Sequence, residues 1–211
     1  MKKRIWIKRS IWLSVTVLIL LNILAALHAY SFTHFSDSNG TRTPMDQQGF
    51  WSKAGTVLTG VDNPKPINKS VPDRPYETLM ISGDSLPNVS SGPATECWLI
   101  KADSSIGTVI VCHGYGGCKS TMLDKAEEFL LMHYSVLLPD FMGSGGSPGN
   151  QCTIGYYEAD QVRNCCRYLT AHGEDNVVLF GTSMGAVAIM KALSENQLAV
   201  SSAIIECPFG S

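Results

Sequence analysis

The longest apolar stretch of the chain runs from Ile11 to Leu27, with Asn22 as its main polar interruption. Extended as a helix to Tyr30, it is long enough to cross a hydrocarbon layer of about 30 Å. Residues 36–75 are rich in Ser, Thr, Asp, Asn, Gly and Pro, which predicts a linker or stalk with a short ordered piece around Phe50-Trp51. Those two aromatics are expected to pack on the following domain rather than touch a membrane surface. From Pro75 the pattern changes. Glu77–Ser82 and Glu96–Lys101 predict two opening antiparallel strands separated by a Gly/Pro/Ser loop. Strand-like runs then alternate with helical periodicity. Thr108–Cys112, Leu137–Pro139, Val177–Phe180 and the stretch around Ile204-Ile205 read as buried strands. Residues 120–133 place Met122, Ala126, Phe129 and Leu130 on one helical face, and 154–170 do the same with Val162, Cys165, Cys166 and Leu169. After Ser183, the positions Gly185, Ala188, Ile189, Ala192 and Leu193 line one face of a third helix. Such alternation predicts an α/β domain with a mostly parallel sheet and flanking helices. No internal repeat or low-complexity tract is visible, and one domain accounts for the length.

The candidate chemistry sits at strand-to-helix junctions. Gly181-Thr182-Ser183-Met184-Gly185 reads G-x-S-x-G between a strand and a helix, the context that makes this otherwise weak motif specific. The serine must stand on a sharp turn with its hydroxyl clear of the sheet. Glycine two residues before and after it avoids collision with the neighbouring backbone. The helix that starts at Met184 directs its N-terminal N–H groups and dipole toward a developing oxyanion. A second motif, His113-Gly114-Tyr115-Gly116-Gly117, follows the strand 108–112. A glycine-rich loop there can supply one N–H of an oxyanion hole, the other coming from the residue after the serine. The amides of Tyr115 and Met184 are the candidates, with Gly114 among the loop glycines that permit the approach. Asp140 closes a third strand before the loop 141–149. It reads as a turn aspartate bonding loop amides, with a catalytic role as the less favoured reading.

These motifs (H-G-Y-G-G at 113–117, P-D-F-M-G-S-G-G-S at 139–147 and G-T-S-M-G at 181–185) resemble the α/β-hydrolase superfamily. The likeness is to the branch of serine aminopeptidases, acyl-peptidase-like enzymes and monoacylglycerol-lipase-like esterases, and covers about residues 76–211. The resemblance implies an α/β-hydrolase-type sheet, Ser183 as nucleophile, Tyr115 and Met184 as oxyanion donors, and a small ester, amide or peptide substrate. It supplies no acid and no histidine, which in this family lie beyond the strand ending near Glu206. Both are therefore expected beyond Ser211, and the domain is expected to be C-terminally incomplete. The histidines present, His28, His34, His113, His133 and His172, have no motif reason to reach Ser183. Glu206 could serve as the acid only in a variant layout. Without a base the serine is a poor nucleophile, so the 211-residue chain is expected to be inactive by itself. The alternative is a non-catalytic, membrane-tethered, hydrolase-like binding protein.

Charge places the apolar segment. Lys2, Lys3, Arg4, Lys8 and Arg9 precede it, and no Lys or Arg follows until Arg42. The positive-inside rule puts the N-terminus in the cytoplasm and the domain on the extracytoplasmic side. The expected organisation is 1–10 basic segment, 11–30 anchor, 31–75 linker and 76–211 partial hydrolase domain. A cleaved signal peptide ending near Leu27-His28-Ala29, with a secreted domain, is the competing reading. A formal net charge of −2 gives no reason to invoke nucleic acid. The seven cysteines show no metal-type spacing and read as buried free thiols, Cys112, Cys165, Cys166 and Cys207 among them. N-x-S/T triplets occur at Asn39, Asn68 and Asn88. No metal or organic cofactor is implied.

Overall fold

Pairing of the strands gives a sheet of six in the order β1-β2-β4-β3-β5-β6. The computed structural model describes residues 2–37, 45–82, 93–195 and 198–209. The strands are β1 (Tyr76–Ile81), β2 (Thr95–Ile100), β3 (Thr108–Cys112), β4 (Ser135–Pro139), β5 (Val177–Thr182) and β6 (Ser202–Glu206). The first two pair antiparallel, as does β2 with β4, and the remaining pairs are parallel. Helices α3 (Leu123–Leu131), α4 (Glu158–Ala171) and α5 (Met184–Glu195) make the crossovers. This is the mostly parallel α/β arrangement that the alternation predicts, and the α/β-hydrolase type of sheet that the resemblance implies.

The period of two in β3 divides the core. Val109 and Val111 join Met122, Ala126 and Leu130 of the α3 side, with Val136, Leu138 and Phe180. Ile110 and Cys112 face the other way, toward Cys165 and Cys166 of α4 and Ala188 and Ile189 of α5. Both faces of the central strands are thus covered, which is why they read as unbroken apolar runs. Each fully buried Leu or Ile contributes about 2 kcal/mol in transfer energy. The last strand differs: β6 is paired through β5 and leaves Ile204 45 % exposed. Cys207, expected in the core, lies just past this strand and is exposed, with a left-handed backbone.

Helix α4 begins at Glu158, not at Ile154 as the periodicity suggests. Ile154 and Gly155 have φ of 56° and 98°, values no right-handed helix admits. The buried Glu158 carboxylate instead accepts from Thr153 N, Thr153 Oγ1 and Gly155 N, and so organises that turn.

Residues 31–75 also depart from expectation, because much of this polar stretch is docked rather than free. Phe35 is buried in the core, and its N–H donates to Asn150 O at 2.7 Å. Lys65 Nζ donates to Ser147 O at 2.9 Å, and Gly145 N donates to Pro66 O at 2.8 Å. The polar groups that resemble a solvated linker satisfy the backbone of the loop 143–151 instead. Ahead of them, α1 (Lys2–Thr33) is a single helix whose apolar window is unburied along its length. Helix α2 (Phe50–Thr59) rests against the end of α1, with His28 Nε2 2.8 Å from Val57 O. Phe50 and Trp51 do not pack on the domain: they are 76 % and 84 % exposed, because the helix that carries them lies beside α1.

Candidate active site

The C-terminal ends of the parallel strands β3 and β5 converge on Ser183. Its backbone sits at φ 54°, the left-handed region that costs an L-residue of order 1–2 kcal/mol and that clusters at functional sites. The turn is held from outside, since Ser183 N donates to Glu206 O at 2.9 Å and carries the β5–β6 ladder one residue into the elbow. The flanking glycines are obligatory. A Cβ on Gly185 would lie 2.5 Å from Cys112 O, and one on Gly181 would lie 2.7 Å from Ala186 N and from Gly185 O. Both obstacles are backbone, so neither can yield. The loop after β3 passes directly over this turn: a Cβ on Gly114 would stand 3.5 Å from Ser183 Cβ. Met184 is buried at the first turn of α5, where helix amides lack intrahelical acceptors.

Both residues proposed from sequence as oxyanion donors are tied to the exit of α1. The Tyr115 hydroxyl donates to Phe32 O at 2.6 Å, and its ring stacks on Phe32 at 4.7 Å between centroids. Phe35 lies 5.7 Å from the same ring. Met184 Sδ accepts from the Cys152 thiol at 3.2 Å, and Cys152 N donates to Thr33 O at 2.8 Å.

His113 is fully buried and spoken for. Its Nε2 accepts from Phe141 N at 3.0 Å and its Nδ1 lies 2.8 Å from Gly114 O. That pattern fixes the neutral tautomer with the proton on Nδ1. Burial lowers its pKa, and the bond to Gly114 only partly opposes this. The imidazole therefore locks the loop to β4 and is not presented to the serine. His28, His34 and His172 bond Val57 O, Tyr30 O and Tyr168 O, and His133 is an exposed residue at φ 64°. Ser183 bonds through its backbone, its N–H donating to Glu206 O and its carbonyl accepting from Val187 N, and among the described residues no side chain bonds its hydroxyl. The Glu206 carboxylate accepts from Thr182 Oγ1 at 2.9 Å.

Asp140 is the hub of a buried polar cluster. Its carboxylate accepts from Lys119 N at 2.6 Å, Lys119 Nζ at 2.5 Å, Asn68 Nδ2 at 2.8 Å and Gly146 N at 2.9 Å. Burial pushes its pKa up, but these donors outweigh it and hold the carboxyl below the ordinary range. The Lys119 ammonium, with no exposed side-chain surface, also reaches Glu96 Oε1 at 2.6 Å and stands 4.5 Å over the Trp98 ring. Lys119, Glu96 and Asn68 were not singled out for this cluster from sequence, because lysine and glutamate ordinarily signal solvent. Asn68, which opens an N-x-S/T triplet, has its amide committed to Asp140 and Ser120. Asn39 and Asn88 lie outside the described residues.

Residues 103–211 match the serine aminopeptidase S33 family profile. The chain belongs to the serine aminopeptidase S33 family. Among solved structures, this S33-family chain is similar to the esterase Pf2001 of Pyrococcus furiosus, at 26 % identity and a TM-score of 0.59, over 70 % of this chain and 58 % of that one. It shares its fold with the α/β hydrolase GrgF of Penicillium sp. sh18, at 19 % identity and a TM-score of 0.54, over 64 % of this chain and 46 % of that one. The chain thus spans a little over half the length of the esterase. A comparison with curated proteins finds no match. Among the described residues of this S33-family chain, no group of His, Cys, Asp and Glu is placed to hold a metal ion.

Proposed function

We propose that Ser183 is the nucleophile of a serine hydrolase that cleaves ester or amide bonds by acyl transfer. The observation that carries this reading is the left-handed backbone of Ser183 between two glycines that tolerate no Cβ. A non-glycine residue at that φ persists only where surrounding structure enforces it. The serine oxygen attacks the acyl carbon, and the N–H groups of Tyr115 and Met184 receive the developing oxyanion. The intermediate collapses to expel the alcohol or amine with the proton the serine gave up, and water then attacks the acyl-serine to release the acid. The proton of the serine needs a base. Because no imidazole among the described residues bonds the Ser183 hydroxyl, the base and its acid partner come from outside this arrangement, and the 211-residue chain alone turns over slowly. Loss of a triad member typically costs about 10⁴-fold. Helix α1 anchors the chain in a membrane, with the N-terminus cytoplasmic and the domain on the far side, on the strength of the basic cluster before it.

The test is fluorophosphonate labelling of the protein isolated from its own cells, beside its Ser183→Ala variant. Label on Ser183 that the variant loses supports the hydrolase. Absence of label on the native protein would leave a hydrolase-like binding protein, the reading that the unpartnered hydroxyl favours.

A further inference from the structure

Helix α2 buries none of its side chains. Phe50, Trp51, Ala54, Val57 and Leu58 fall at the i, i+1, i+4, i+7, i+8 spacing of a single helical face. Four of them are large, and these are 76 %, 84 %, 60 % and 61 % exposed. The residues that are half-buried, Ala54, Gly55 and Thr56, are small.

The position of this face is set by α1. His28 Nε2 meets Val57 O, Ser31 Oγ donates to Val61 O, and Asn63 Nδ2 donates to Ser31 O at 3.0 Å. Gly60 closes the corner at φ 93°, where a Cβ would lie 2.6 Å from Ser31 Cβ. The C-terminal end of α2 is thereby fixed to the last turns of α1, beside the exposed Tyr30 and Phe32. A soluble domain does not leave a contiguous aromatic and aliphatic patch of this kind uncovered without a use for it.

We infer that α2 is a second membrane contact: it sits at the headgroup–acyl boundary of the same bilayer that α1 spans, with Phe50, Trp51, Val57 and Leu58 in the lipid. The inference rests on the reading of α1 as an anchor. Proximity selects lipid as the occupant, since the end of α2 and the turn after it are bonded to His28 and Ser31 in the last turns of α1, whose apolar span is unburied. Aromatic residues favour this depth, and Lys53 can extend its stem to keep its ammonium in water. An interfacial helix of this type buries its apolar face about 5–10 Å into the boundary. Two attachments fix the orientation of the domain as well as its tether. The loop bearing Tyr115, whose ring stacks on Phe32, is then held close above the membrane surface.

The experiment uses the full chain with Trp6→Phe and Trp12→Phe, reconstituted in phosphatidylcholine nanodiscs. Trp51 and the buried Trp98 remain, and a further Trp51→Phe variant gives the Trp98 background to subtract. A nitroxide near the lipid headgroup is expected to quench Trp51 roughly two-fold, and more than one at the bilayer centre, with iodide excluded. Trp51 fully open to iodide and unquenched by either lipid, or quenched most from the bilayer centre, overturns the inference. Alkaline carbonate extraction separates the two readings. A chain that leaves the membrane refutes the anchor itself, whereas a retained chain with iodide-exposed Trp51 refutes only the seat of α2.

Discussion

Replacing Lys119 by methionine removes the one ammonium in the cluster behind the loop and keeps most of the stem's packing. The Lys119 and Asp140 side chains have no exposed surface and stand 2.5 Å apart, while Glu96, the ammonium's second partner, is 24 % exposed. In Lys119→Met the Asp140 carboxylate stays in the interior with Lys119 N, Asn68 Nδ2 and Gly146 N as its donors. Stripping one member from a buried pair costs about 3–5 kcal/mol, and three surviving donors put the expectation near the low end, about 3 kcal/mol. In urea unfolding of the full chain in detergent, followed by tryptophan emission, this lowers the midpoint by about 1–2 M. The double variant Lys119→Met/Asp140→Asn should cost less than the sum of its single changes, by at least about 1 kcal/mol. The pH dependence has a definite sign. The wild-type carboxyl titrates below its ordinary value, so its stabilisation is present above about pH 4 and fades as pH falls toward the folded value. In the variant the burial that opposes ionisation is countered by one donor fewer, the ammonium being gone. The gap between the two proteins should therefore narrow as pH drops through the carboxylate range. A gap below about 1 kcal/mol at pH 7, or one indifferent to pH, refutes the assignment of a dry, paired charge.

Three further outcomes follow from the geometry. Ser183→Gly should abolish labelling by a fluorophosphonate and yet raise the urea midpoint, because relief at φ 54° returns about 1 kcal/mol; an unchanged or lowered midpoint counts against strain at the elbow. His113 titrates below its ordinary value because it is buried. The unfolded chain therefore binds its proton first, and stability should fall as pH drops below about 6.5. His113→Gln should flatten that slope, and an equal slope in the variant would contradict a buried neutral ring. Cys207 is exposed and the other cysteines are buried, with burial pushing the Cys112 thiol up and Cys152 to about 12. A thiol reagent should modify one cysteine in the native chain and all seven after denaturation. Fast reaction at two or more sites in the native state would disprove the packing.

The elements whose signal is local could be read directly. β3 and β5 are short apolar runs that stop at glycine-rich motifs, and such runs make buried strands wherever both faces are covered. The elbow was legible because close backbone approach demands glycine at 181 and 185, a requirement written in two letters. What could not be read were partnerships across long sequence separations. Lys119 looks solvated until Asp140, Glu96 and Trp98 surround it. Residues 60–68 look like a linker because their polar groups carry no sign of which loop they will bond. The general expectation that aromatics pack inward assigns Phe50 and Trp51 to the domain surface they would cover. Their position beside α1 overrules it, and no pattern within residues 50–59 alone announces that.

The bonds that join α1 to Tyr115 and, through Cys152, to Met184 give the site a mechanical input. A transmembrane helix answers a bilayer thinner or thicker than its apolar length by tilting. At the exit of α1, Thr33 O holds Cys152 N and Phe32 O holds the Tyr115 hydroxyl, so a change of tilt is a lateral load on both residues proposed to cradle the oxyanion. On the proposed reading of α1 as an anchor and Ser183 as nucleophile, lipid thickness becomes a setting of the geometry around the serine, and the same polypeptide inserted in membranes of different depth would work as differently tuned instruments.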